Sequence, residues 1–287
     1  MNDILFMDNK QIKKEYEELT IISGNPTQKE KIKEYIRYRE VFMFLAWKDI
    51  IVRYKQTVLG ILWAIMQPVI SMIIMTFIFG KVAKIDSGGV PYEIMVFAAL
   101  IPWNFFSTGV NAISNCLIIN SHLITKIYFP RLALPVSSLI TACVDSLISL
   151  IVLALIMVAF MYVPPMRILL LPVFYILIFM IALGMGLILA ALNVKYRDIK
   201  YLVPFLLQIG MYISPVGYSS SIIPESFKLL YSLNPLTGVI EGFRWCLIPS
   251  AKLYTPSIVI SMLFAFVIMY GGIKFFNKFE SSFADII

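Results

Sequence analysis

The stretch ALNVKYRDIKYLVPF, residues 191–205, places Lys195, Arg197, Asp198 and Lys200 within six positions of a chain otherwise poor in charge. Upstream, residues 168–194 hold 27 positions without Asp, Glu, Lys or Arg; downstream, residues 201–224 hold 24 more. A hydrocarbon core about 30 Å thick needs about 20 apolar helical residues to cross it. Both flanks meet that length. The stretch reads as a short charged turn between two membrane spans.

Working outward, residues 56–80, 94–121 and 253–273 form further uncharged runs, and residues 132–163 form another broken only by Asp145. Six spans are expected, as helices, because no ten-residue alternation of a membrane barrel occurs. The predicted fold class is all-α integral membrane protein. Composition agrees: 60% of the 287 residues are hydrophobic and 14% charged, where soluble domains hold about 25% charged residues. Mean hydropathy is +0.84.

The formal charge of +7 does not sit on one face, which argues against nucleic acid as a partner. With the N-terminus inside, inner segments hold 18 Lys and Arg and outer segments 6, so both termini are expected in the cytoplasm. Cys116, Cys143 and Cys246 stand alone in apolar surroundings and read as small apolar residues, with neither a disulfide framework nor a metal site. The first 19 residues, MNDILFMDNKQIKKEYEEL, lack an apolar core, so no cleaved signal peptide is expected.

The expected layout is a polar tail over 1–26, an amphipathic cytoplasmic interface-helix region over 27–57, a six-span domain over 58–277 and a C-terminal tail over 278–287. Thr27 with Glu30 makes a capping box that starts a helix. Phe44, Trp47, Ile51, Tyr54 and Val58 then recur at helical spacing among Lys48, Asp49, Arg53 and Lys55. That pattern fits a helix lying in the inner headgroup region, or one packed on a partner protein. Residues 222–250, between spans five and six, are too broken to cross. Pro224 and Pro235 divide them into two short helical pieces joined near Asn234.

Enzyme constellations are missing. His122 stands alone, and neither GxSxG nor HExxH occurs. Gly80-Lys81 has Met75 where a phosphate-cradling loop needs its first glycine, so the chain is not expected to hydrolyse ATP unaided. Asp145 is the one formal charge inside a span, 14 residues past Arg131, or about 21 Å along a helix. With no intramembrane cation to pair it, it reads either as a pathway or proton site or as a structural acid bonded to Ser146 or Thr141. Tyr201, Phe205, Gln208 and Tyr212 share one face of span five, followed by Ser214, Pro215 and Tyr218. Such a stripe suits stacking on sugar rings; it also suits ordinary packing or an interfacial aromatic belt. Ala182, Gly186 and Ala190 form a small-residue ridge for close helix approach, within the bundle or to a dimer partner.

Three segments in order, LAWKDIIVRYKQTVLGILWAIMQPVI (45–70), LNVKYRDIKYLVPFLLQIGMYISPVGY (192–218) and LNPLTGVIEGFRW (233–245), resemble one family. It is the permease subunit of ABC exporters of lipid-linked polysaccharide, of the Wzm-like O-antigen and teichoic-acid type. The likeness covers about residues 35–280; the tail before Thr27 is longer than the family usually carries. It implies a homodimer joined to two copies of a separate P-loop ATPase that uses ATP and Mg, with no cofactor on this chain. It implies a bacterial cytoplasmic membrane location and an undecaprenyl-linked glycan as substrate. By the resemblance, His122, Lys126, Tyr128, Arg131, Lys195, Arg197 and Asp198 couple to the ATPase. Pro224, Tyr231, Asn234, Pro235, Glu241 and Arg244 belong to two outer gate helices. Trp63, Asp145, Tyr201, Phe205, Gln208, Tyr212 and Tyr218 line or flank the substrate pathway. Three alternatives are an ABC exporter of a drug or small lipid, a proton-coupled transporter using Asp145, and a membrane-embedded lipid-modifying enzyme.

Overall fold

The structure, a computed structural model, describes residues 28–55 and 60–280 and contains no strand among them. Thr27, Gln56 and Val58 lie outside the described residues, as do residues 1–26 and 281–287, and so does the side chain of Glu30. The chain divides into two units. The first ends at Glu40 and carries α1 (Gln28–Arg37). The second starts at Val41, within α2 (Arg39–Lys55). Along α2, Leu45 and Ala46 are buried while Phe44 and Trp47 are exposed, so these two aromatics face away from the protein.

The rest of the second unit runs α3 (Ile61–Met75), α4 (Tyr92–Ile119), α5 (Ser121–Lys126), α6 (Ala133–Ala159), α7 (Leu171–Lys195), α8 (Ile199–Ile213), α9 (Glu225–Tyr231), α10 (Pro235–Leu247) and α11 (Thr255–Phe279). A wider π-helical stretch, Thr76–Val82, extends α3. A 3-10 turn, Met166–Leu170, leads into α7. With these extensions, Ile61–Val82, Tyr92–Ile119, Ala133–Ala159, Met166–Lys195 and Thr255–Phe279 are long and apolar enough to cross a membrane.

The expected fifth span is the exception. α8 has 15 residues, about 22 Å of helix against a core of about 30 Å. It stops because Pro215 pushes the preceding residue out of helical geometry, and Ser214 sits at φ −85°, ψ 152°. Among the described residues there are thus five helices of spanning length and one short apolar helix, where six full spans were expected.

α4 is the hub. Every residue of the run 94–101 is buried, as suits a helix that is apolar all round. α3, α6, α7, α8 and α10 pack around it. In lipid, helices associate through close van der Waals contact and not through a hydrophobic drive, so small residues mark the tightest crossings. A Cβ on Gly186 would stand 2.7 Å from the Ile113 side chain, and Ala182 and Ala190 are fully buried. The small-residue ridge therefore serves packing on α4, inside the protomer. On α7, Gly184 makes a second crossing against α11, where a Cβ would meet the Ile268 backbone at 2.6 Å.

Candidate functional site

The two charged turns lie at one end of the bundle. Asn193, buried near the end of α7, donates from Nδ2 to Ser114 O (2.8 Å) and to Asn115 Oδ1 (3.2 Å) near the end of α4. Lys48 on α2 donates to Asn120 Oδ1 at 3.3 Å, which brings the N-terminal helix to the same end. There His122, Lys126, Tyr128, Lys195, Arg197 and Asp198 are all exposed, and Arg131 is half-buried. The residues assigned to coupling thus lie at the same end of the bundle.

Asp145 has a cation after all. Arg53 Nη2 lies 2.6 Å from its Oδ2, and the Tyr54 hydroxyl donates to its Oδ1. Thr141 Oγ1 instead donates to Ser137 O (3.2 Å), and Ser146 Oγ pairs with the Tyr175 hydroxyl (2.7 Å). The correction has a geometric cause. The last turn of α2 reaches the level of Asp145, twelve residues and about 18 Å along α6 from Ala133. Burial and the bond to Asp145 hold the Tyr54 phenol well above its ordinary value, so it stays a donor. Arg53, Tyr54 and Trp63 also border a groove of about 540 Å³ along α3, together with Gln67 and Ser71.

The aromatic stripe on α8 has no cover among the described residues. Tyr201 is 70% and Tyr212 62% exposed, and Phe205 and Gln208 are exposed too. Of the α8 residues only Val203 is buried. Lys200 Nζ sits 4.6 Å from the Tyr201 ring centroid, which ties the foot of the stripe to the charged turn. Tyr218 does not continue the stripe, because the chain has already turned at Pro215. Its hydroxyl reaches back to Tyr212 O (3.2 Å) and pairs with the Tyr231 hydroxyl (3.0 Å).

At the opposite end, α9 and α10 meet at Asn234, as the sequence anticipates. Pro224 caps α9 and Pro235 is the first residue of α10, a position where its missing N–H costs nothing. Asn234 Oδ1 accepts from Leu236 N (3.1 Å), and its Nδ2 donates to Ser214 Oγ (3.0 Å). Arg244, only 5% exposed, holds this end together. Its Nε donates to Met95 O (3.1 Å), Nη1 to Tyr218 O (2.7 Å) and Nη2 to Val216 O (2.8 Å). The Tyr92 hydroxyl adds a bond to Gly217 O. Burial pulls the Arg244 guanidinium down to about 10, which leaves it cationic at neutral pH. Glu241, 6% exposed and one turn before it, forms no ion pair with it; Ser257 Oγ donates to Glu241 Oε2 at 3.1 Å. Burial raises the Glu241 carboxyl above its ordinary range.

Sequence reasoning placed Arg244 and Glu241 in this region but missed their burial, and it missed the carbonyls of Met95, Val216 and Tyr218 that Arg244 grips and the Tyr92–Gly217 bond beside them. Arg244 falls seven residues after Thr237 and four after Ile240, both buried, so the helical period was the available signal. For Asp145 the missed signal was a second one, the cation and phenol side by side at 53–54.

These features define a polytopic helical membrane protein with a charged, exposed surface at one end and a short helix pair held by Arg244 at the other. Residues 40–248 match the ABC-2 type transporter family, and the chain belongs to that family. It is 29% identical over 253 residues to the O-antigen export system permease protein RfbA of Klebsiella pneumoniae, covering 86% of this chain and 95% of that one. The protein of the same name from Myxococcus xanthus is 26% identical over 262 residues, covering 89% and 98%. The polysialic acid transport protein KpsM of Escherichia coli is 25% identical over 240 residues, covering 82% and 92%.

Proposed function

We propose that this chain is the membrane subunit of an exporter that moves undecaprenyl-linked polysaccharide, O-antigen or a similar cell-surface glycan, across the bacterial cytoplasmic membrane. Two copies form the pathway, and two copies of a separate P-loop ATPase, with ATP and Mg, supply the free energy. This chain contributes no catalytic group. The observation that carries the reading is the uncovered stripe Tyr201, Phe205, Gln208 and Tyr212 on a chain whose relatives bear polysaccharide-transport names. Rings and an amide on one helix face can stack on and hydrogen-bond to a sliding sugar chain. In this reading α8 and the following turn together make a sixth crossing, both termini are cytoplasmic, and α2 lies in the inner interface.

In the mechanism we propose, closure of the ATPase dimer pushes on residues 120–131 and 193–200. α4 starts at Tyr92 and ends at Ile119, about 42 Å of mostly buried helix. A push at Asn120 therefore reaches Met95, where Arg244 anchors the outer helix pair. α2 adds a second lever through Arg53 and Asp145. That ion pair also weakens the proton-coupled alternative, which needs an acid free to exchange protons.

The test is gentle solubilisation followed by asking whether a roughly equimolar P-loop ATPase copurifies. Surface polysaccharide is then measured after the catalytic glutamate of that ATPase is changed. Loss of export supports the reading, and export that persists without ATP hydrolysis overturns it.

A further inference from the structure

Beside the Arg244 latch lies a cavity of about 860 Å³, inside the range of about 300–1,000 Å³ usual for ligand pockets. Its walls come from residues 83–88 after α3, the serine run 219–221, the α9–α10 pair and residues 250–254. Glu241 borders it from below the surface, 94% buried by its 6% exposure. One carboxylate oxygen is engaged by Ser257; among the described residues the other, Oε1, accepts no hydrogen bond. Arg244 does not answer it, because three backbone carbonyls take its donors. Lys84 and Lys252 line the wall with no ion pair among the described residues, and Lys228 is held by Glu225 (2.8 Å).

That combination restricts the ligand. Oε1 opens to the cavity and is not sealed in protein, so a donor that enters the cavity can reach it. Lys84, Lys228, Lys252 and Arg244 share the lining with Asp86 and Glu241, so neither a simple anion nor a simple cation satisfies every group, and an acyl chain would strand the polar lining without partners. A neutral polyol meets every group: its hydroxyls donate to the carboxylate and accept from ammonium and serine or tyrosine hydroxyl groups. The walls belong both to the α3–α4 connection and to the outer helix pair, so such a ligand would bridge the two. We propose that this cavity is a saccharide-binding site that holds a short segment of the glycan on the outer side of the gate. It rests on the polysaccharide-export reading, and it lies apart from the α8 stripe.

The experiment uses the full chain with its ATPase in nanodiscs. The probe is a set of short oligosaccharides released by mild acid from the host strain's own surface polysaccharide. Saturation-transfer NMR is expected to show binding to the wild type. Glu241→Gln, which keeps an acceptor for Ser257, is expected to weaken it about tenfold, as for loss of one hydrogen bond to a charged group. A Lys84→Ala, Lys252→Ala double variant at the cavity wall is expected to weaken it about threefold. Binding that survives both variants unchanged, or that excess inorganic phosphate displaces, overturns the proposal. So does no binding to the wild type in a strain whose surface glycan still depends on this chain, an outcome that leaves the export reading standing. If deleting the chain leaves surface glycan intact, the export reading falls and this proposal with it.

Discussion

Arg53 Nη2 and Asp145 Oδ2 lie 2.6 Å apart, so a cation on the last turn of α2 meets an acid midway along the spanning helix α6. The Asp145 side chain is 18% exposed and Arg53, which borders the groove along α3, is 43% exposed, so the pair is not sealed inside protein. Its net coupling should be about 1 kcal/mol. Arg53→Gln and Asp145→Asn should each lower the unfolding midpoint and reduce export. The double variant should be little worse than either alone. Additive losses in a double-mutant cycle would show that the two side chains do not act together.

Arg244 meets three carbonyls from two parts of the chain, Met95 on α4 and Val216 and Tyr218 after α8. A lysine has the charge but not the fork of donors, and it cannot reach all three. Arg244→Lys should destabilise the protein by about 3 kcal/mol, since each buried carbonyl left alone costs about 1–3 kcal/mol. Thermal unfolding in detergent reads this directly. A variant as stable as the wild type would remove Arg244 as the anchor of α10.

Glu241 gives a pH signature. Its folded value is raised by burial above the ordinary 4.5, so the folded protein disfavours the ionised form. The associated stability is fully present below about 4.5 and is lost as pH rises through the raised value. Glu241→Gln should therefore unfold at a higher temperature than wild type at pH 8, and the gap should close as pH falls toward 4.5. A gap that is constant over that range would mean that Glu241 carries no net charge penalty.

Gly271 and Gly272 are neighbours with opposite surroundings. A Cβ on Gly271 meets nothing within 4 Å, whereas one on Gly272 would run into the Gly184 backbone. Gly271→Ala should be neutral or stabilising by about 0.5–1 kcal/mol, through helix propensity. Gly272→Ala should cost about 2 kcal/mol or more, because neither backbone can move aside without parting α7 from α11. Equal effects of the two alanines would contradict this crossing.

How much of this was legible in the sequence follows from the range of each signal. Uncharged runs report spans directly, and five of six were placed to within a few residues of their helices. α8 was not, because the break at Ser214-Pro215 sits inside an apolar run that shows no change in charge. Asn234-Pro235 was readable, since a cap and a first-turn proline are local. The Arg53–Asp145 contact joins residues 92 positions apart and leaves no periodic trace. Arg244 binds main-chain carbonyls, which have no residue code at all. The site was legible where it is made of side chains on one helix face and hidden where it is made of backbone.

The α8 stripe distinguishes a sugar-contacting wall from an aromatic belt in lipid. Tyr212 is 62% exposed in the protomer, so trimming it should change unfolding free energy by less than about 0.5 kcal/mol in either case. Export should respond differently. If the ring contacts glycan, Tyr212→Ala should reduce surface polysaccharide several-fold, since loss of one stacked ring is worth about 1 kcal/mol. Tyr212→Trp should then restore most of it, because a larger ring keeps the stacking face. Gln208→Leu, also exposed, should reduce export while keeping the bulk. An interfacial belt predicts the reverse for Gln208→Leu, which would suit lipid better than glutamine does. Full export by both Tyr212→Ala and Gln208→Leu, with normal protein levels, would assign this face to lipid and move the pathway elsewhere.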